Sequence, residues 1–379
     1  MTIVSELGEL QHRLAAAMEQ RGAWPRRSAW IRQTIEALPR HDFAPERLWS
    51  WDGNRYVPVD RGRDPERWAG EVYAGPDTAA VTQITAGLAT SSLSCQAVVV
   101  DMLDSLLLEP GHRVLELGTG CGWNAALLDW RAGPHRTISV ETDPRLAGAA
   151  RRALERAGAS VSVQAADGNS GWPAGAFYDR VIATYAVERI PWAWLAQTRP
   201  GGRIVAPWGR LGHVALTVAE DGQSATGWVQ GLAQFMPARG TEVAEPGFLQ
   251  VRGSGDSDDE RPFLRDLAPL HGDAHLRFAL RVALPDVRIT VAADEDGLNS
   301  WIHDGASSWA VLSALGDGKT IADQGGPRRL ADELETAWDA WHDAGRPDLY
   351  DYGMTVQNGG ATQYMWAHDP ATGPRWPLT

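Results

Sequence analysis

Residues 114–128, VLELGTGCGWNAALL, run from an apolar strand-like segment through Glu116, Gly118, Gly120 and Gly122 into a helix-like segment. Small residues at a strand-to-helix turn let the backbone approach a ligand at the carboxyl edge of a sheet. The dinucleotide fingerprint is G-x-G-x-x-G, whereas the spacing here is E-x-G-x-G-x-G. An acid two residues ahead of the glycines suits an ammonium, and the amino-acid end of S-adenosylmethionine carries one, with no pyrophosphate to cradle. Glu141 closes the next apolar run, TISVE, where a carboxylate can accept both hydroxyls of a ribose; taken alone, it is equally a surface acid at a strand end. Asp167 closes the third run, in QAADG, where it could reach an adenine amino group. Three acids at the ends of three consecutive runs, with the glycines on the first, point to an S-adenosylmethionine site. Its expected residues are Glu116, Gly118, Thr119, Gly120, Gly122, Asn124, Glu141, Asp167 and Gly168, and its product is S-adenosylhomocysteine.

The elements that must position these residues follow from periodicity. Strand candidates HRVLELG, TISVE, VSVQAAD, YDRVIAT and GRIVAPW alternate with helix candidates GWNAALLDWRA, DPRLAGAARRALERAG and IPWAWLAQTRPGG. That alternation predicts a parallel α/β sheet over residues 76–240, the cofactor-binding core. Residues 1–75 mix helical patterns with an irregular, tryptophan-containing stretch, LWSWDGNRYVPVDRGRDPERW, and are expected on the substrate side. Residues 241–379 read as an α+β extension for substrate recognition. It opens on an exposed linker, RGSGDSDDERP (252–262), and continues through strand-like HLRFALRVAL and VRITVAA to a hairpin around WAVLSALGDGKTIA. A helix follows, with Leu330, Leu334, Trp338 and Trp341 on one face, and then a second hairpin turning at Asn358-Gly359-Gly360. The expected fold class is α/β, a Rossmann-like class I S-adenosylmethionine-dependent methyltransferase with an additional C-terminal α+β domain.

Composition narrows the setting. The chain is 44% hydrophobic and 22% charged, as ordinary globular proteins are. It has no apolar run of about 18 residues, so no membrane span is expected. The N-terminus has no basic start followed by an apolar core, which argues against a secretory signal. Cys95 and Cys121 are the only cysteines, too few for a disulfide framework or a cysteine metal site, so a cytoplasmic setting and no metal are expected. Residues 1–240 carry 24 basic and 25 acidic side chains, whereas residues 241–379 carry 11 and 23. The acidic part is either a solvated surface or a face for a basic partner such as a peptide segment. Neither reading favours nucleic acid, which calls for a basic footprint. No membrane partner is expected, and the chain is expected to be a monomer.

The run AADGNSGWPAGAFYDRVIATYAVERIPWAWLAQTRPGGRIVAPWG (165–209) resembles the protein-L-isoaspartate O-methyltransferase family, whose pattern is D-G-x-x-G-W/Y-P…A-P-F/Y-D-R-I…P…L…Q-L…G-G-x-L-V-x-P. GTGCGWNAALL resembles its G-T-G-S-G-Y-x-A-A-x-L, and ALPRHDFAP (37–45) its V-P-R-h-x-F-V-P. The resemblance covers roughly residues 25–240, with its motifs in order. The family's substrate-facing segment is T-I-S-A-P-H-M-H-A, and here ATSSLSCQAVVVDML stands in its place. Ser91 falls on the family serine, while Leu93, Ser94 and Gln96 replace the proline and the two histidines. This TSS stretch and the long extension resemble a narrower group, the actinobacterial homologues found with peptide-maturation systems; AQFMPARG (233–240) and the ending YGMTV…GPRWPL fit that group too.

What the resemblance implies is a carboxyl O-methyltransferase acting on an aspartate of a ribosomally made, modified precursor peptide. A graspetide is favoured over a lanthipeptide as substrate, and the product would be aspartimide or isoaspartate. General isoaspartyl repair is the alternative, a non-catalytic scaffold a second, and nucleic-acid methylation a third. The chemistry is undemanding: a carboxylate is already ionised at neutral pH, so the enzyme needs to orient it and exclude water rather than supply a base. Thr90, Ser91 and Ser92 are the expected catalytic hydroxyls, although the same residues could cap a helix starting in SCQAVVVDML.

Overall fold

After α1 (Ile3–Gln20) and α2 (Trp30–Ala37), the stretch that reads as irregular turns into a hairpin of β1 (Arg47–Trp51) and β2 (Tyr56–Asp60). Asp64 then caps α3 (Pro65–Val72), its side chain accepting from the Arg67 amide at 3.1 Å. β3 (Ala80–Thr85) and β4 (Leu88–Leu93) complete a four-stranded sheet in the order β2-β1-β3-β4. The β3–β4 register shifts twice, leaving Thr82 and Thr90 unmatched on either side of the Gln83–Ser91 pair. Irregularities of this kind re-aim side chains. Thr90, Ser91 and Ser92 therefore sit on a strand and do not cap a helix. The next helix, α4 (Gln96–Leu106), starts at Cys95 with no side-chain cap.

The computed structural model describes residues 3–209, 211–239, 246–254 and 257–378. Their chain divides into two units, Met1–Ala238 with Thr355–Gln363, and Arg239–Met354 with Tyr364–Thr379. The first unit is built on β5 (Val114–Leu117), buried at every residue, as a run between two parallel neighbours must be. α5 (Trp123–Ala132) leads to β6 (Thr137–Glu141), α6 (Pro144–Arg156) to β7 (Ser162–Ala165), and a loop to β8 (Tyr178–Ala183). The expected helix IPWAWLAQTRPGG is only one turn long, α7 (Trp192–Ala196). Thr198–Gly202 instead begin β9 (Thr198–Trp208), which pairs antiparallel with β10 (Gly212–Val218), itself antiparallel to β11 (Ser224–Leu232). The strand order is β7-β6-β5-β8-β9-β10-β11, so the chain reverses direction across the sheet between β5 and β8. Ligands of doubly wound sheets bind outside the carboxyl ends of strands at such a switch. Among the described residues, no helix is long and apolar enough to cross a membrane.

In the second unit, α8 (Phe248–Arg252) precedes β12 (Asp259–Phe263), α9 (Ala268–Gly272) and α10 (Ala274–Ala283). β13 (Arg288–Ala293), β14 (Leu298–His303), β15 (Trp309–Ala314) and β16 (Thr320–Gly325) join β12 in an antiparallel sheet ordered β12-β16-β15-β14-β13. Two expectations are corrected here. The end of the expected linker is β12, paired with β16, and HLRFALRVAL is α10, started by Asp273, which accepts from the His275 and Leu276 amides. Gly255 and Asp256 of that linker, Gly240 of AQFMPARG and residues 241–245 lie outside the described residues. α11 (Leu330–Asp343) buries Leu330, Leu334, Trp338 and Trp341 on the face their spacing predicts. The last strands are β17 (Tyr352–Gln357), β18 (Thr362–Ala367) and β19 (Arg375–Pro377); the β17–β18 tip, Thr355–Gln363, belongs to the first unit.

Gln324 substitutes for a cap that α11 lacks. Fully buried, it accepts from the Ala331 amide at 3.0 Å and donates to Asp259 at 3.0 Å. Gln324→Leu leaves a buried amide and a carboxylate without partners, and is expected to lower stability by about 2–4 kcal/mol. Chemical denaturation followed by tryptophan fluorescence checks this; an unchanged midpoint would contradict it.

Candidate functional site

The three glycines of the β5–α5 turn all have positive φ (+97°, +54° and +90°) but do three different jobs. A side chain at Gly118 would collide with the Thr184 hydroxyl, which donates to the Gly118 carbonyl at 2.5 Å. One at Gly122 would press on Leu154 of α6 at 3.3 Å. Only Gly120 faces room: a Cβ there has nothing nearer than Ser91 Oγ at 3.8 Å and the Ser92 carbonyl oxygen at 3.9 Å. Close approach of a ligand to the backbone is therefore confined to Gly120, while its neighbours are small so that the loop can pack. The turn also brings together the glycine loop and the TSS segment, which lie about thirty residues apart in sequence.

The acids divide into two tiers. Glu116 is fully buried, with one oxygen accepting from the Asn124 amide at 2.8 Å and the other from the Ser139 hydroxyl. Ser139 in turn meets the Thr119 hydroxyl at 2.6 Å. Glu116, Thr119 and Asn124 thus form a closed network under the loop, tying β5 to α5 and β6. Each Glu116 oxygen takes one hydrogen bond from these neighbours, and none of its surface is open. Burial pushes its carboxyl up to about 7, with Glu141 adding to the rise and the Ser139 and Asn124 hydrogen bonds opposing it.

An acid whose folded pKa is raised holds its proton more tightly folded than unfolded. Its ionisation therefore costs stability as pH climbs from the ordinary carboxylate range through about 7. Glu116→Gln removes that term. Relative to the wild type it is expected to gain about 3 kcal/mol between pH 5 and pH 8. Thermal unfolding across that range tests this, and a difference that does not vary with pH would contradict it.

Glu141 lies at the upper tier, at the carboxyl end of β6. One oxygen accepts from the Gly120 amide at 2.9 Å and the other from the Asp143 amide at 3.1 Å. A carboxylate offers about four acceptor positions, so two remain. Asp167, exposed at the end of the third strand, accepts from the Asn169 amide with one oxygen; the other has no partner among the described residues. Gly168 follows it because a Cβ would stand 2.5 Å from the Tyr185 hydroxyl. Tyr185, which sequence reasoning missed, donates to Asn169 Oδ1 at 3.1 Å, and burial, followed by Asp167 and Glu141, raises its pKa. Its ring stands edge-on to Trp194, whose indole N–H donates to the Gly168 carbonyl.

The three hydroxyls of β4 are not equivalent. Thr90 is committed to β3, donating to Gln83 at 3.1 Å and meeting Thr85 at 3.0 Å; Gln83 in turn donates to Asp143 at 2.9 Å. Ser91 is 7% exposed, points at Gly120, and its hydroxyl has no hydrogen-bond partner among the described residues. Ser92 also lacks a side-chain partner there, but it turns its carbonyl, not its hydroxyl, to the loop. A further residue fixes the end of this strand. Arg40, from the ALPRHDFAP motif, is buried, stacks 5.3 Å from the Trp123 ring centroid and donates to the Leu93 and Ser94 carbonyls. Burial lowers its pKa to about 10. The motif was legible in sequence, but nothing there indicated where its guanidinium reaches.

The arrangement fits a methyl donor with an amino-acid end and a ribose. Gly120 leaves a cradle that a Cβ would fill, Glu141 has acceptor capacity beside it, and Ser91 presents an uncommitted donor opposite. Such a site can bind a nucleoside-like cofactor and orient an anionic acceptor.

A family model described as protein-L-isoaspartate(D-aspartate) O-methyltransferase matches residues 59–240. The protein-L-isoaspartate O-methyltransferase of Methylorubrum extorquens is 35% identical over 191 residues, covering 50% of this chain and 71% of that protein. The protein-L-isoaspartate O-methyltransferase 2 of Archaeoglobus fulgidus is 32% identical over 249 residues, 64% of this chain and 97% of its own length. A solved protein-L-isoaspartate O-methyltransferase aligns with 95% of this chain and 100% of its own at a TM-score of 0.54 and 19% identity, a likeness of fold.

Proposed function

The chain belongs to the protein-L-isoaspartate(D-aspartate) O-methyltransferase family, and on that basis we propose that it esterifies the free carboxylate of L-isoaspartyl residues in proteins. Members of the family are S-adenosylmethionine-dependent protein carboxyl O-methyltransferases, and this chain has their fold. The observation that carries the reading is the partnerless hydroxyl of Ser91 facing Gly120, beside the spare acceptor capacity of Glu141. When bound, S-adenosylmethionine supplies a methyl group on a positively charged sulfur. Glu141 would hold the ribose hydroxyls and Asp167 the adenine amino group, while the Glu116–Ser139–Asn124 network keeps the loop in shape beneath them. Ser91 donates to one oxygen of the acceptor carboxylate and leaves the other free to attack. No side chain has to remove a proton, because the acceptor is already ionised. Thr184 and Tyr185 wall the loop and keep water from it.

Once the ester exists, the next backbone nitrogen can attack it and expel methanol, giving a succinimide that hydrolyses partly to aspartate. The reading sets the protein in the cytoplasm, in keeping with two free thiols, Cys95 and Cys121, of which burial pushes the second up to about 11.

A second reading, an aspartate in a modified peptide (graspetide or lanthipeptide) as acceptor, is favoured by one observation. Leu93, Ser94 and Gln96 stand where the family segment has a proline and two histidines. The long extension lends it no weight, since a solved family member is covered over its whole length by 95% of this chain. The two readings are separated by kcat/KM for an unmodified isoaspartyl peptide against a crosslinked, aspartate-bearing precursor. The general reading expects the isoaspartyl peptide to be preferred by about a hundredfold or more. A preference for the crosslinked peptide would reverse it.

A further inference from the structure

The loop after β8 carries Thr184 and Tyr185 to the glycine turn and to the Asp167 turn, so its position sets the shape of both. Its last residue, Ile190, is held by a residue 173 positions later. Gln363, 4% exposed at the hairpin tip, closes a two-bond ring with the main chain of Ile190. Its Oε1 accepts from the Ile190 amide at 2.9 Å, and its Nε2 donates to the Ile190 carbonyl at 2.8 Å. Ile190 is itself buried, so these two backbone groups have no water to turn to. Next to it, Arg189 Nη2 donates to the Gly360 carbonyl at 3.0 Å, and Gly360 is a glycine for a visible reason: a Cβ would stand 3.0 Å from Trp192 Cβ. The nearer part of the loop is held by main-chain bonds, Ala186 to Met236 and Ala238, and Val187 to Pro207. Beyond Val187, the Trp208 indole N–H donates to the Glu188 carbonyl at 3.0 Å, and the tip adds its bonds to Arg189 and Ile190.

We infer that Gln363 is a positioning residue for the donor site: by fixing Ile190 it holds the Thr184–Ile190 loop so that Tyr185 and Thr184 stay against the glycine and Asp167 turns. The strand-like bonding of a side-chain amide to one residue's N–H and C=O is specific, because only Asn or Gln presents a donor and an acceptor in that geometry, and only Gln has this reach. A hydrophobic residue of the same length fills the space and leaves the loop unpinned. The inference rests on the reading of this region as a donor site.

The test compares the wild type with Gln363→Met and with Thr226→Val. The latter removes the 3.1 Å hydroxyl pair between Thr226 and Thr355, which also binds the hairpin tip but does not touch the loop. In Gln363→Met, hydrogen exchange across Thr184–Ile190 is expected to accelerate about tenfold or more. Its calorimetric dissociation constant for S-adenosylhomocysteine, and its KM for S-adenosylmethionine, should rise about five- to tenfold, with kcat at saturation within about twofold of wild type. Thr226→Val should match the wild type in all of these. Unchanged exchange at the loop, unchanged affinity, or an equal loss in Thr226→Val would each overturn the positioning role. Failure of the wild type itself to bind S-adenosylhomocysteine would overturn the donor-site reading instead, and the exchange measurement would then still decide whether Gln363 pins the loop.

Discussion

Glu141→Ala is expected to weaken binding of S-adenosylhomocysteine about a hundredfold, equivalent to about 2.7 kcal/mol. Two hydrogen bonds from ribose hydroxyls to a carboxylate are each worth roughly 1.5–3 kcal/mol when their charge is sheltered, and Glu141 is only 6% exposed. Part of the loss reflects the loop, since the same carboxylate receives the Gly120 and Asp143 amides. Glu141→Gln separates the contributions. It keeps an acceptor for one amide but loses the charge, and should fall between wild type and alanine. Isothermal titration of the three proteins gives the comparison. A loss below about threefold in Glu141→Ala would remove Glu141 from the ligand altogether.

The second large effect is expected on the acceptor side. Ser91→Ala should lower kcat/KM for an isoaspartyl peptide about thirtyfold while leaving S-adenosylhomocysteine affinity unchanged, because the hydroxyl is proposed to touch only the acceptor. Most of the loss should fall on KM. The carboxylate gives up charge as the ester forms, so a hydrogen bond to it is no stronger in the transition state than in the bound substrate. Thr90→Ala is the contrast, since that hydroxyl is already engaged by Gln83 and Thr85 and should change kcat/KM by less than about threefold. Steady-state kinetics of both variants test the assignment. Equal effects at the two positions would mean that the segment matters as a strand and that Ser91 has no contact of its own.

The parallel core was legible because its strand runs alternate with helices, three of the runs lead into acids, and the helices carry amphipathic or small-residue faces, as in α6 with Ala147, Ala150 and Leu154 buried. HLRFALRVAL reads as a strand because Leu276, Phe278, Leu280 and Val282 alternate as a strand's residues do. All four are buried along with Ala279 in a helix that is apolar over more than one stripe. The signal that decides for a helix is Asp273, an N-cap just ahead of the run. The tryptophan-rich stretch at 47–60 hid its hairpin because the burial along β1 and β2 does not alternate cleanly.

In the site, residue types were readable and their tiers were not. Glu116 and Glu141 both lie at the ends of apolar runs, yet one is enclosed by Ser139 of β6 and Asn124 of α5 and the other lies beside Gly120, a difference fixed by neighbours from other elements. Gln83, Tyr185 and Gln363 gave no signal in sequence because each acts through a partner distant along the chain or through packing that only the fold creates. The hydroxyls of β4 were recognised as a group, but the register shifts that free Ser91 and occupy Thr90 depend on β3.

The most direct measurement is methyl incorporation from labelled S-adenosylmethionine into a matched pair of peptides that differ only in carrying L-isoaspartate or L-aspartate at one position, followed by mass spectrometry. The account predicts one methyl ester on the isoaspartyl peptide, its conversion to succinimide with loss of methanol, and no ester on the aspartyl peptide. Methylation of neither peptide, or of both alike, would contradict it.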